Sequence, residues 1–421
     1  MRSDMPGIEA EPRLPAAFWR LWWATGVTAV GDGVFAAAIA LLTVTITRDP
    51  RLVSAVSAAA YLPWLLLSLP VGVFVDRCDR VGLLRPSQAI QAVIVTVLAV
   101  LAASGRLGIE VLAALAFGLG ACTVVSANAA QAIVPDLAAG PLLHTANGHQ
   151  QTITTIGREF AGPMIGSLLF AVAAALPFGV DAVLLTLSAV LLAALPRRGP
   201  RRVRHPPMRT AVADGLRWLA RHRLLRTLAL LLGANTFCAH LASATLVLLA
   251  TQVLHLGTRG YGLLLAGAAT GSLLGGLTGA RLITRFGAIP VLLAALTANV
   301  IVFVGIGLSP NATALGVLLA GNGFIVTLWN IVTLGLRQQT VPSGMLGRVN
   351  SAYRMIGWGL IPLGALAGGL VAHAFGLRVP YLAAGVLRGD RSAGGAARPD
   401  PLLPDLRHST IGRHHSTPRV K

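Results

Sequence analysis

Long runs of hydrophobic side chains, broken by short polar knots, occupy most of the chain. Runs of about 20 residues, long enough to cross a bilayer as helices, fall near 18–45, 52–75, 87–104, 110–134, 149–175 and 178–195, and again near 225–253, 260–282, 288–308, 312–336 and 349–375. Between the two sets lies a Pro- and Arg-rich stretch from Pro196 to Pro207. Val212, Leu216 and Leu219 then recur at helical spacing among Asp214, Arg217 and Arg221, which predicts a linker with a surface-lying amphipathic helix. A last run starts at Arg378, but its apolar part stops at Leu387 and meets Arg388, Gly389, Asp390 and Arg391. The expected organisation is a six-helix half over 1–196, a basic linker over 197–224, a second half over 225–388 with five full spans and a truncated twelfth, and a disordered basic tail over 389–421. An Arg- and Pro-rich tail that replaces an apolar pattern so abruptly is what a shifted reading frame in a GC-rich gene, or a natural short variant, would yield.

Composition agrees with membrane burial. The 421 residues are 55% hydrophobic and 12% charged, with a mean hydropathy of +0.72, too apolar and charge-poor for a soluble domain. The reading is an all-α polytopic membrane protein. The net charge of +19 would point to nucleic acid in a soluble chain; here the basic residues sit between apolar runs, so they encode orientation and no nucleic-acid partner is expected. With the N-terminus in the cytoplasm, the inner loops hold 22 of the 34 Lys and Arg, against five outside (Arg48, Arg51, Arg106, Arg259 and Arg378) and seven in the tail. That bias predicts a cytoplasmic N-terminus and a multi-pass protein of the cell (inner or plasma) membrane. Cys78, Cys122 and Cys238 are widely spaced, so neither disulfide, metal nor cofactor is expected. The N-terminus has no short apolar core with a small-residue cleavage site, which predicts that the first helix is retained.

Charge returns abruptly at the end of the second run, in Gly72-Val-Phe-Val-Asp76-Arg77-Cys-Asp79-Arg80. A weaker copy about two hundred residues on, Gly276 through Arg281, Arg285 and Gly287, repeats the Gly with an Arg five residues on and then a later Arg and Gly, and carries Ala280 in place of the acid. Val134-Pro135 followed by Gly162-Pro163, and Val341-Pro342 followed by Ile361-Pro362, extend the repeat. The Gly-x-x-x-Asp-Arg-x-x-Arg loop resembles the signature between the second and third helices of the major facilitator superfamily of secondary transporters. The resemblance covers residues from about 18 to 386. It implies the major facilitator fold, two six-helix halves with a substrate path between them, and a gating role for Gly72, Asp76, Arg77, Arg80, Gly276, Arg281 and Arg285. Gly72, one turn before Asp76, is expected to let another helix pack closely.

Few polar residues lie inside the spans, and these are the candidates for function. Asp32, between Gly31 and Gly33 in the first span, is either a proton carrier or a structural hydrogen-bonding group; the matching region of the seventh span offers only Asn235 and Thr236. In the fifth span Arg158 and Glu159 precede Gly162, Pro163 and Gly166. Adjacent helical residues point about 100° apart, so Arg158 and Glu159 are expected to face different neighbours. Gly162-Pro163 with Gly166 resembles the G-P-x-x-G antiporter motif of drug-efflux members, although a plain kink with small-residue packing has the same sequence. Val134-Pro135-Asp136-Leu137, Ala146-Asn147, Asp214 through Arg226, and Pro342 with Gly347-Arg348-Val349 look like the macrolide-efflux and enterobactin-exporter branch. The fourth span lacks the arginine of the R-x-x-x-G motif of another antiporter branch, leaving Arg158 and Arg354 as basic partners. Trp329, Asn330, Tyr353 and Trp358, with Asn235 and Arg354, are expected to line a substrate cavity; aromatic residues near helix ends are also ordinary interface anchors. His240 and His373 are secondary candidates.

No H-E-x-x-H or G-x-S-x-G motif occurs in the spans, and no enzyme is expected. The function expected is proton-coupled efflux of a small amphipathic molecule (drug, antibiotic or siderophore) by a monomer embedded in the lipid bilayer, through alternating access. An importer of the same fold, working as a substrate–proton symporter, and a membrane sensor that does not transport are the rivals.

Overall fold

The structure, a computed structural model, describes residues 14–137, 142–194, 217–340, 353 and 355–396. Twelve helical rods account for nearly all of them. In the first half these are α1 (Ala16–Ile46), α2 (Pro50–Arg77), α3 (Arg80–Ala103), α4 (Ile109–Leu137), α5 and α6 (Leu176–Ala193). Here α5 is a composite of Leu142–Thr155, a π-helical turn Ile156–Ala161 and Gly162–Val172. The second half holds α7 (Arg223–Val253), α8 (Thr258–Phe286), α9 (Ala288–Leu308), α10 (Ala312–Thr340), α11 (Met355–Phe375) and α12 (Val379–Ala396). Ten of these helices are long and apolar enough to cross a membrane. The other two are α5, which carries Arg158 and Glu159 in its π turn, and α12. The all-α, two-half architecture expected from the apolar pattern is the one observed.

Side-chain caps sit at the short loops. Asp49 accepts from Arg51 N at 2.9 Å to start α2, and Asp79 accepts from Val81 N at 3.2 Å to start α3. These two loops mark the opposite faces of the bundle, here named the Asp49 face and the Asp79 face.

Lipid offers no hydrophobic drive for one helix to meet another, so close backbone approach through small residues carries the packing. The repeat is visible in that packing: Gly120 on α4 lies against the Ala60 carbonyl of α2, and Gly323 on α10 against the Ala268 carbonyl of α8. On the Asp49 face one apolar core runs through both halves, including Leu41, Val53 and Phe170 of the first and Leu248, Tyr261 and Phe303 of the second. Toward the Asp79 face the core divides among the described residues. One cluster, around Phe18, Leu84 and Ile133, belongs to the first half; another, around Leu225, Trp329 and Tyr353, belongs to the second. The halves meet mainly through α2 against α11 and α5 against α8. Gly369 of α11 sits on Ser54 of α2, and Gly262 of α8 on Ser167 of α5.

The last helix extends further than its apolar pattern predicts. The helix of α12 continues through Arg388 to Ala396, 18 residues in all, about 27 Å and close to the thickness of a bilayer core. Arg388 does not end it because its guanidinium turns into the bundle: Nη2 donates to the Asn235 carbonyl at 2.8 Å and the group lies over the Phe303 ring at 3.8 Å. Of the expected linker helix, 217–221 is described and helical, and Leu219 is buried in the second-half core. Val212, Leu216, Pro342 through Val349, Arg354 and the tail beyond Ala396 lie outside the described residues.

Candidate functional site in the first half

The tripeptide Gly31-Asp32-Gly33 places an acid where two other helices converge on α1. A side chain at Gly33 would meet the Arg158 carbonyl at 2.6 Å and Gly162 Cα at 2.9 Å, both on α5. Gly162 and Gly166 answer from the other side, against the Val30 carbonyl at 2.6 Å and the Val34 carbonyl at 2.5 Å. The Gly162-Pro163-Gly166 motif is therefore the surface on which α1 lies. On the opposite side, Gly31 faces the carboxylate of Asp181 on α6.

The π turn of α5 inserts an extra residue into the helix at Ile156–Ala161, a deformation found at functional sites. It carries Arg158 half-buried and Glu159 exposed. Arg158 lies within reach of the Tyr61 side chain on α2 and within electrostatic range of Asp32 and Glu159. Tyr61 in turn meets His240 of α7 edge-on, ring centroids 5.9 Å apart. His240 Nδ1 donates to the Thr236 carbonyl at 3.0 Å, since a carbonyl only accepts. Asp32, Arg158, Tyr61 and His240 thus form a polar line from the first half to the second. Trp64 and Trp358 meet at a tilt of 43° across the same boundary, centroids 4.4 Å apart.

The second-half residues expected to form one cavity are distributed differently. Asn235 and Trp329 line a narrow cavity with Asn299, whose amide donates to Asn322 at 3.2 Å. Tyr353 is buried in the apolar core and Asn330 is exposed. Trp358 belongs to the contact between halves. In the two charged loops, Arg80 begins α3 and Gly72, Asp76 and Arg77 lie in the last turns of α2, the surroundings of these three falling outside what is described. Arg281 and Arg285 are exposed at the end of α8, with Arg285 over the Phe286 ring. A side chain at Gly276 would meet nothing within 4 Å, so this second copy of the glycine is not required by packing. His373 stands apart from the polar line, 3.6 Å from Asp49 on the Asp49 face.

Several features carry no sequence signal that the motif reading used. Tyr61 and Asp181 lie in apolar runs outside any motif, and only the folded chain sets them beside Arg158 and Gly31. A cavity of about 610 Å³ opens between the ends of α1 and α7, lined by Thr45, Thr47, Arg48, Thr251, Gln252 and His255 among others. Its volume falls in the range of small-molecule sites.

Residues 11–389 match the model of a family described as transmembrane secretion effector. No curated protein sequence matches the chain. Among solved structures, a point mutant of the nucleoside transporter NupG superposes with a TM-score of 0.72 at 13% identity, covering 90% of this chain and 99% of that one. A bacterial homolog of the human lysosomal transporter Spinster, inward-facing and unoccupied, gives 0.66 at 16% identity over 91% and 96%. A bacterial homologue of the iron transporter ferroportin, inward-facing, gives 0.66 at 17% identity over 92% and 100%. At such identities the neighbours establish the fold alone, while the family match spans nearly the whole chain. The chain therefore belongs to the transmembrane secretion effector family, a group of membrane transporters with the major facilitator fold.

Proposed function

We propose that this protein exports small amphipathic molecules, of the drug, antibiotic or siderophore type, in exchange for protons, as a monomer in the cell membrane with its N-terminus in the cytoplasm. The observation that carries the reading is the polar line Asp32–Arg158–Tyr61–His240, which joins an ionisable carboxyl in α1 to a residue of the other half. An acid inside a bundle is costly unless it is paired or used. When Asp32 is ionised it holds Arg158 by charge; when a proton neutralises it, Arg158 is left to Tyr61 and to polar substrate groups. Proton occupancy then acts on the boundary that alternating access must remake.

The halves share a core on the Asp49 face and have separate cores toward the Asp79 face. With the Asp79 face in the cytoplasm, as the Lys and Arg count favours, this is a state that receives substrate from inside. Everted vesicles with an acidified interior test the proposal against a panel of macrolides, lipophilic cationic dyes and catecholate siderophores. Accumulation of a panel member driven by the proton gradient is expected. Loss of substrate from the vesicles under the same gradient would identify a symporter, and binding without movement a sensor.

A further inference from the structure

The carboxyl of Asp181 plays no part in the polar line, yet it is the most enclosed acid among the described residues. Asp181 is 2% exposed and its Oδ1 has no hydrogen-bond partner. It points at Gly31 so closely that a Cβ there would collide with Oδ1. The ionisable and polar groups around it come from four helices. On α1, Asp32 is the neighbour within electrostatic range. In the π turn of α5, Arg158 and Glu159 lie beyond Asp32, and Tyr61 of α2 lies beyond Arg158. On α3, Arg85 is engaged with the Leu192 carbonyl at the far end of α6, and Gln88 bonds Thr28, which bonds Ser188. Toward the Asp49 face the site is closed by Phe178, fully buried and edge-on to Phe35 at 5.9 Å. Toward the Asp79 face Leu184 and Leu185 follow on α6, Leu184 packed near Gly31 and Leu185 in the core.

We propose that Asp181 is a second proton-carrying carboxyl, exchanging a proton with Asp32 through the window that Gly31 leaves between α1 and α6. Two carboxylates within electrostatic range of each other in a dry interior, one with an orphaned oxygen, cannot both keep their charge cheaply. The pair therefore holds a proton. Arg158, on the Asp32 side, makes Asp32 the seat of the remaining charge and Asp181 the seat of the proton. In the transfer step a side-chain rotation at the Gly31 window first brings the two carboxyls into hydrogen-bond contact; the O–H bond of Asp181 then breaks and an O–H bond forms on Asp32, with the negative charge moving the opposite way and no other species consumed. Asp32, half-buried where Asp181 is buried, is the group that passes the proton on. Gly31 keeps the crossing open, since a Cβ there would displace the Asp181 Oδ1 that faces it.

This inference rests on the proton-coupled reading, and its test does not need a substrate. The full-length protein in proteoliposomes is titrated while infrared difference spectra follow the carbonyl stretch of protonated carboxyl groups; a carboxyl without a hydrogen-bond partner absorbs at the high-frequency end, away from solvated acids. Two coupled titration steps are expected in the wild type, and a single step in both Asp181→Asn and Asp32→Asn. Deuterium exchange at the Asp181 band should slow at least about tenfold in Asp32→Asn, which corresponds to about 1.4 kcal/mol or more in the barrier. Should Asp181→Asn fail to fold, Asp181→Glu decides, because it moves the band instead of removing it. An Asp181→Asn titration that superimposes on the wild type, a band unmoved in Asp181→Glu, or unchanged exchange in Asp32→Asn would overturn the proposal. Absence of transport with the two-step titration intact would instead sink only the exporter reading.

Discussion

Asp32 and Arg158 sit on facing turns of α1 and α5, and each depends on the other for its charge to be tolerable inside the bundle. Replacing Asp32 with Asn keeps the shape and removes the titration. Proton-driven export should be abolished while insertion and exchange of bound substrate persist; proton-driven export at the wild-type rate in that variant would remove Asp32 from the coupling route. Arg158→Gln leaves the Tyr61 hydroxyl and the Asp32 carboxylate without their cation. Charge-assisted hydrogen bonds contribute about 1.5–3 kcal/mol, so a loss of that order in thermal stability in detergent is expected along with loss of transport. Asp32 was legible in the sequence because it is one acid in the middle of an apolar run. Asp181 was not: it lies near the start of its run, where acids are ordinary at a helix boundary, and only the pairing of Gly31 with α6 reveals what it faces.

At the scale of the helix, the packing of α1 against α5 leaves no room for side chains. At Gly33 the colliding atoms are mostly backbone, the Arg158 carbonyl and Gly162 Cα, and backbone cannot give way as a side chain can. Gly33→Val should cost at least the roughly 1–3 kcal/mol typical of overpacking and lower the yield of folded protein. Gly179→Ala on α6 is the matched control, since a Cβ there meets nothing within 4 Å. A gain of about 0.5–1 kcal/mol is expected from helix propensity alone. Equal effects of the two substitutions on the detergent unfolding temperature would show that the α1–α5 contact is looser than the distances imply. The positions of eleven spans were legible from apolar length, and the Gly-Pro of α5 from its motif. The π turn was not, because an extra residue in a helix leaves the hydrophobic pattern almost unchanged. The helix of α12 runs on past its short apolar part because Arg388, which ends the apolar run along the sequence, in three dimensions donates to the Asn235 carbonyl and lies over Phe303.

For the whole molecule, the repeat and the succession of helices could be read from the chain, but not the conformation, because which face is closed depends on contacts between residues more than 300 positions apart. On the Asp49 face those contacts are Ser54 with Gly369 and Asp49 with His373. The Asp49 carboxyl is held below the usual carboxylate range, chiefly by its side-chain hydrogen bond from Arg51 and further by the Arg51 backbone N–H and charge. A depressed value means the stabilising contribution is present above the ordinary carboxylate pKa of about 3.9 and is lost only as pH falls through the lower folded value. Asp49 therefore stays anionic through mild acidification, facing His373 of the other half at 3.6 Å. Mild acidification should leave the Asp49 side of this contact intact, and Asp49→Asn should weaken it at every pH. Gly369→Leu should oppose closure directly, because a Cβ at that position already meets Ser54 Cβ at 2.6 Å and the Pro50 carbonyl at 2.7 Å. Spin labels at Leu52 and Phe375, both exposed at this face, report the separation of α2 and α11. A longer and broader distance distribution is expected for Gly369→Leu, with Gly276→Leu, whose side chain enters open space, matching the wild type. An unchanged distance in Gly369→Leu would mean that the two halves are not held at this face by the α2–α11 contact.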